Sequence, residues 1–440
     1  MKRIDVLLDD VLLEIFDFYV GMSLLSPYEP RRRIEAWQSL VHVCRRWRTL
    51  VFRSPRRLNL QLFCTPKTPA KDTLDVWPAL PLIVWGPMTL SGTGNVIAAL
   101  EQSNRVCRVI LWGLAGWQLE NVFAAMQVPF PELTDLRLRS NGETLPVTPD
   151  SFLGGSAPRL QYFELSGILF PGLQKLLLSA THLVYLGLFD IPHSGYISPE
   201  AMVALLCALS SLESLSLHFR YPQSRPDGET RRPPPPKCSI LPDLKLFYFK
   251  GVTDYLEELV TRIDTPPQLD QMNITFFNQI DFDIPRLAQF INRTPTLRAI
   301  DEAHVEFYND TARVQLRYWT HKIGLNNLQI GIPCTKPDWQ LSSLAQVCNS
   351  FLRPLSTVED LYIEHQYSQL VWKNDAIENS ILWLQLFLPF TAVKNLYLSK
   401  EFAPGIVAAL QELVGGIAEV LPSLQSIFVE ELEPSGQVHN

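Results

Sequence analysis

One pattern recurs along nearly the whole chain and constrains its fold more than any other feature: apolar-x-x-apolar-x-apolar, usually just after a proline or a polar turn. It reads Val106/Val109/Leu111, Leu133/Leu136/Leu138, Leu160/Phe163/Leu165, Leu183/Leu186/Leu188, Leu212/Leu215/Leu217 and Leu244/Phe247/Phe249. It continues as Leu269/Met272/Ile274, Leu325/Leu328/Ile330, Val358/Leu361/Ile363, Val393/Leu396/Leu398 and Leu424/Ile427/Val429. Leu297/Ile300 starts a further copy in which Glu302 takes the third place, with Val305/Phe307 as the shifted alternative. Successive copies start 23 to 35 residues apart, about 29 on average, the period at which each unit holds one strand and one helix.

The segments between the triplets agree with this. Ser198-Pro199-Glu200 supplies a capping hydroxyl and a proline at the first helical position, and Ala201 to Leu209 follows with helical apolar spacing. Similar helical stretches are Val96–Leu100, Val122–Met126, Tyr255–Ile263, Pro285–Ile291, Leu344–Leu352, Ile377–Leu388 and Ile406–Leu421. Neither a strand nor a helix of this length buries its apolar face alone. Stacking the units makes one continuous core, in which each Leu contributes roughly 1.5–3 kcal/mol. The expected fold class is therefore α/β: an irregular leucine-rich-repeat βα solenoid (a horseshoe) over residues 58–433. A disordered tail is expected at 434–440, and an exposed Pro-rich loop at 220–239, where Pro233–Pro236 are consecutive.

Composition narrows the function. Hydrophobic residues make up 47% and charged residues 19% of the chain, and the net charge is -7. That is globular, and it argues against nucleic acid as the general partner. Residues 1–60 hold 11 Lys/Arg against 7 Asp/Glu, the reverse of the remainder, so two surfaces for different partners are expected. No apolar run reaches membrane-spanning length, and Asp5, Asp9 and Asp10 break up any leader-like stretch. The seven scattered cysteines, without a C-x-x-C pair, read as reduced thiols of a cytoplasmic or nuclear protein. The N-x-T triplets at Asn273, Asn292 and Asn309 then read as chance matches.

The N-terminal segment is different. Residues 4–19 predict an amphipathic helix capped by Asp9 or Asp10, with Val11, Leu12, Ile15, Phe16 and Tyr19 apolar. From Trp37 to Leu60 two more short helices and a first strand are expected, carrying Leu40, Val43, Trp47, Leu50 and Val51. The segments LLDDVLLEIF and LVHVCRRWRTLVFRSPRRL resemble the F-box, the three-helix module of SCF-type ubiquitin ligases. The chain departs from that motif at Leu8, where the family usually has Pro, and in a longer loop from Gly21 to Glu35. The layout resembles fungal-type F-box proteins with C-terminal leucine-rich repeats, with residues 1–57 as the module.

The resemblance implies a substrate-recognition adaptor that is not itself an enzyme. The module would bind the Skp-type adaptor, and through it the cullin complex, with Leu7, Leu8, Val11, Leu12, Ile15, Phe16, Val43, Cys44 and Trp47 as the contact surface. Ile15 and Trp47 fit a core equally well; Leu7 and Leu8, ahead of the helix, fit the contact better.

Strand side chains alternate between faces, so the neighbours of the apolar triplets should line the concave face and meet a protein target. Those neighbours include Asp135, Arg137, Arg139, Glu164, Ser214, Ser216 and His218. Among them the aromatic residues Tyr162, Tyr185, Phe189, Tyr248, Tyr362 and Tyr397 are the candidate target-binding residues. Aromatics also simply favour strands. The nucleophile-elbow, zincin, P-loop and dinucleotide motifs are absent, and no cofactor or metal is expected. His304-Val305-Glu306 and Glu364-His365 place a base near a carboxylate, but partners on strands can point apart, so packing is the expectation there. The same holds for Trp112 and Trp117, and Arg31–Arg33 reads as a solvated run.

Overall fold

A computed structural model describes residues 7–22, 36–142, 146–222, 241–264, 268–277, 282–297, 300–317, 326–334, 336–350, 355–365, 376–412 and 420–430. The Arg31–Arg33 run, most of the Pro-rich loop, Leu325 and the 434–440 tail lie outside these residues. The chain forms two compact units, Met1–Leu188 and Phe189–Asn440. The division falls inside the repeat array, not at the end of the helical module.

Among its described residues the first unit begins with three helices: α1 (Asp9–Met22), α2 (Ala36–Val41) and α3 (Arg45–Arg53). Six strands follow in chain order: β1 (Leu62–Cys64), β2 (Leu82–Pro87), β3 (Val106–Leu114), β4 (Asp135–Ser140), β5 (Tyr162–Ser166) and β6 (Tyr185–Ile191). β1 to β5 pair in parallel, and β6 carries the chain into the second unit. The connecting helices are α4 (Ala70–Val76), α5 (Thr93–Leu100), α6 (Gly116–Ala125) and α7 (Leu173–Ser179).

The three-helix module closes the start of this sheet. Trp37 is buried, its indole N–H donates to Gln61 O at 3.0 Å, and its ring stands edge-on to Trp77 at 5.2 Å. Leu58 and Leu60 are buried as well. A repeat array needs covered ends, and here the module supplies the first one.

The second unit holds α8 (Pro199–Leu206), β7 (Ser214–Phe219), β8 (Leu246–Gly251), α9 (Thr253–Arg262), β9 (Gln271–Phe276) and α10 (Pro285–Arg293). Then come β10 (Glu302–Phe307), β11 (Thr311–Arg317), β12 (Asn326–Pro333), α11 (Pro337–Ser350) and β13 (Asp360–His365). The last elements are α12 (Ala376–Phe387), β14 (Asn395–Ser399), α13 (Ala403–Glu412) and β15 (Ser426–Glu430). Ser198 caps α8 by accepting from the Ala201 N–H at 3.3 Å, with Pro199 as the first helical residue.

Among the described residues the repeat is broken once. The strand order is β7-β8-β9-β12-β11-β10-β13-β14-β15. β11 lies antiparallel between β10 and β12, while β12 and β10 run parallel to β9 and β13. The copy expected at Leu297/Ile300 uses its shifted Val305/Phe307 form, and the chain then turns through Tyr308-Asn309-Asp310 into a hairpin. Asn and Asp favour such tight turns, and alternating Ala312, Val314 and Leu316 bury one face of the extra strand. The expectation of one strand and one helix per unit fails here.

The described triplet positions from Val106 to Leu398 are buried. Ile427 and Val429 of the last copy are the exception, at 43% and 54% exposed. β15 ends the strand order among the described residues. Cys44, Cys64, Cys107, Cys334 and Cys348 are outside any disulfide, whereas Cys207 is disulfide-bonded, which departs from the expectation of thiols throughout.

Candidate protein-interaction surfaces

α1 is apolar on two faces. Leu12, Leu13 and Phe16 are buried, and Phe16 packs against Trp47 of α3 with ring centroids 4.7 Å apart. Leu8, Val11, Ile15 and Tyr19 fall three, four and four residues apart, along a second line of the helix. All four are exposed, Leu8 by 74%. Leu8 joins the helix through its carbonyl, which accepts from the Leu12 N–H at 3.0 Å.

Arg46 of α3 fixes the start of α1, donating to Leu7 O at 2.5 Å and to Asp9 Oδ1 at 2.7 Å. Glu14 pairs with Arg57 farther along the helix. Val43, 59% exposed, and exposed Cys44 lie between α2 and α3, where the Trp47 N–H donates to Cys44 Sγ at 3.5 Å.

The contact set expected from the motif therefore divides. Leu7, Leu8, Val11, Ile15, Val43 and Cys44 are exposed. Leu12 and Phe16 are core residues, a correction with a simple cause: periodicity shows that a helix is apolar, but its neighbours decide which line they cover. Trp47 is half-buried against Phe16.

On the repeats, the side chains between the buried triplets form the open face of the sheet. Tyr162 is exposed, and Tyr185, Phe189, Tyr248, Tyr362 and Tyr397 are half-buried there. In the first unit the Tyr162 and Tyr185 rings lie stacked at 6.3 Å, and the Arg137 guanidinium sits 5.5 Å from the Tyr162 centroid. Arg137 holds Asp135 through two hydrogen bonds at 2.9 and 3.0 Å, and Arg139 holds Glu164 at 2.5 Å. Asp135 and Glu164, expected on this face, are buried. Hydrogen bonding to these carboxylates raises both arginine pKa values, against desolvation, which is the larger influence on Arg137.

In the second unit Phe189 stands edge-on to His218 at 4.7 Å. Burial, and then the Lys250 charge, lower the His218 pKa to about 4. Farther along, the parallel register stacks four rings on four strands: His304 on Tyr362 at 4.4 Å, Tyr362 on Tyr397 at 4.3 Å, and Tyr397 on Phe428 at 4.8 Å. Parallel in-register strands place like positions side by side, which is why an aromatic at one offset in successive copies becomes a ladder.

A polar network adjoins the ladder. His304 Nδ1 lies 3.2 Å from Glu364 Oε1, and Arg317 Nη1 lies 3.2 Å from His304 Nε2. Buried Glu306 accepts from Tyr308 OH at 2.9 Å and Gln315 Nε2 at 2.8 Å. Burial first, and then the Glu306 bond, push the Tyr308 pKa up to about 12. The two base–carboxylate pairs read from sequence thus resolve differently: the structure joins His304 to Glu364, sixty positions away. Among the described residues no group of three or more His, Cys, Asp or Glu is placed to hold a metal ion, and no helix is long and apolar enough to cross a membrane.

No protein-family model matches the chain, and no curated protein matches it. Among solved structures, the crystal structure of the leucine-rich repeat-containing protein LegL7 from Legionella pneumophila is similar over 86% of this chain and 94% of its own. The identity is 13% and the TM-score 0.30.

Proposed function

We propose that the chain is a non-catalytic substrate-recognition adaptor of an SCF-type ubiquitin ligase. Its N-terminal module docks a Skp-type adaptor, and with it the cullin complex, while the open face of the repeats holds a target protein. The observation that carries this reading is the exposed apolar line Leu8, Val11, Ile15 and Tyr19, separate from the line α1 gives to its own core. Contiguous exposed apolar surface of this kind marks interaction sites. A helix face with apolar anchors three and four residues apart suits packing onto partner helices. The Tyr- and Arg-rich repeat face has the composition favoured at interfaces.

The burial of Trp37 against Trp77 favours a second reading, in which the module serves only as the first cap of a scaffold that acts outside the ligase. Capture of bound proteins under proteasome inhibition separates the two. The full chain should retain a Skp-type adaptor, and a Leu8→Glu/Val11→Glu chain should lose it while keeping its other partners. Point changes serve better than deletion of the module, which would uncover β1. Wild-type chain without any Skp-type adaptor supports the scaffold instead.

A further inference from the structure

The open face of the first unit contains a groove of about 520 Å³, lined by Ile110, Trp112, Arg137, Arg139, Ser140 and Ser166. Three neighbouring strands build it. The register sets Ile110 of β3 beside Arg137 of β4, and Arg139 of β4 beside Ser166 of β5. Trp112 is held edge-on to Trp85 at 4.8 Å and supplies an apolar wall.

Both guanidiniums in the groove are anchored from beneath. Asp135 takes Nε and Nη2 of Arg137, and Glu164 takes Nε of Arg139. Each carboxylate is buried, yet the Arg139 side chain is 58% exposed. Anchoring through Nε orients an arginine and leaves terminal N–H groups for a second oxygen acceptor, in the planar geometry that suits a carboxylate.

The charge count selects among anions. Exposed Arg108 stands across from Asp135 in the register. The two lining arginines are matched by their two carboxylates, so the one positive charge in excess comes from Arg108, on the same face but outside the groove's lining. A single negative charge neutralises it, whereas a dianionic phosphate over-neutralises it beside two carboxylates already in place.

We propose that this groove binds the carboxylate of an acidic side chain, Asp or Glu, on a protein partner. The carboxylate sits on the terminal nitrogens of Arg139 and Arg137, and an adjoining apolar group of the partner packs on Trp112. The proposal rests on reading the repeat face as a protein-binding surface and names the chemistry of what it takes.

The test uses the full chain and fluorescence anisotropy. The probes are peptide pools with random uncharged flanks, blocked ends and one fixed central residue: Glu, Gln or phosphoserine. The Glu pool is expected to bind roughly tenfold tighter than the Gln pool, the scale of one charge-assisted hydrogen bond, and no weaker than the phosphoserine pool. Arg139→Gln/Glu164→Gln replaces the ion pair with two neutral amides, removing the guanidinium and its buried carboxylate together, and should erase the preference for Glu. Ser166→Trp fills the groove, leaves both ion pairs in place, and should erase it too. Equal binding of the Glu and Gln pools, at any strength or none, overturns the proposal. So does preference for phosphoserine, or a preference for Glu that survives both variants. A Leu8→Glu/Val11→Glu chain should keep the preference, so failure of adaptor docking and failure of this groove read out separately.

Discussion

Phe16 and Trp47 meet ring to ring across α1 and α3, centroids 4.7 Å apart and planes inclined by 59°. This contact fixes which line of α1 faces inward, and so leaves Leu8, Val11 and Ile15 at the surface. Phe16→Ala should therefore destabilise the folded chain by roughly 3–5 kcal/mol. Ile15→Glu, one position away, should change stability by no more than about 0.5 kcal/mol yet weaken adaptor capture. Chemical denaturation of both variants checks the contrast, and equal losses would mean that the two lines of the helix are not distinct.

The same contrast holds on the repeats. Leu361→Ala removes a buried side chain and should cost roughly 2–5 kcal/mol. Tyr362→Ala, its half-buried neighbour on the open face, should lose the stacking on His304 and Tyr397, about 0.5–1.5 kcal/mol per ring pair, together with a hydrogen bond to Tyr397. A Tyr162→Ala/Tyr185→Ala/Phe189→Ala chain should stay folded and capture fewer partners. Retention of every partner by that variant counts against the aromatic face as the target-binding surface.

His218 makes stability depend on pH. Its folded pKa, lowered to about 4 by burial and Lys250, lies below the ordinary histidine value of 6.5. Between those values the unfolded chain binds the proton and the folded chain does not. Stability is therefore fully present above pH 6.5 and falls as pH drops towards 4, by up to roughly 3 kcal/mol from this residue. Denaturant midpoints measured from pH 7.5 to 4.5 should fall less steeply for His218→Gln than for wild type. Identical slopes would contradict the assignment.

Glu306 is a buried carboxylate satisfied by neighbours, and Gln315 donates one of its bonds at 2.8 Å. Gln315→Leu should cost roughly 1–3 kcal/mol, because an acceptor is left short inside the protein. Pairing that change with Glu306→Leu should recover part of the loss. The double-variant cycle measures this coupling, and strict additivity would show that the bond carries no stability.

The sequence specified inward positions far better than partnerships. Triplets such as Val109/Leu111 and Leu396/Leu398 were legible because one face of each strand must be apolar throughout. β2 is not legible as a strand, because its LIVWGP run is apolar without alternating. β11 has a readable signal in Ala312, Val314 and Leu316 after an Asn-Asp turn, but it falls between two copies of the repeat and outside its period. Leu12 and Phe16 fit the contact by sequence because α1 is apolar on two lines, and packing against Trp47 distinguishes them. The pairing of His304 with Glu364 depends on the order β11-β10-β13, which no local pattern encodes.

The central claim is that the exposed line of α1 docks a Skp-type adaptor. Titrating a purified Skp-type adaptor into the full chain by isothermal calorimetry tests it most directly. Wild type should bind, and Leu8→Glu/Val11→Glu should lose binding with its melting temperature unchanged. Absence of binding by wild type, or equal binding by the double variant, would contradict the account.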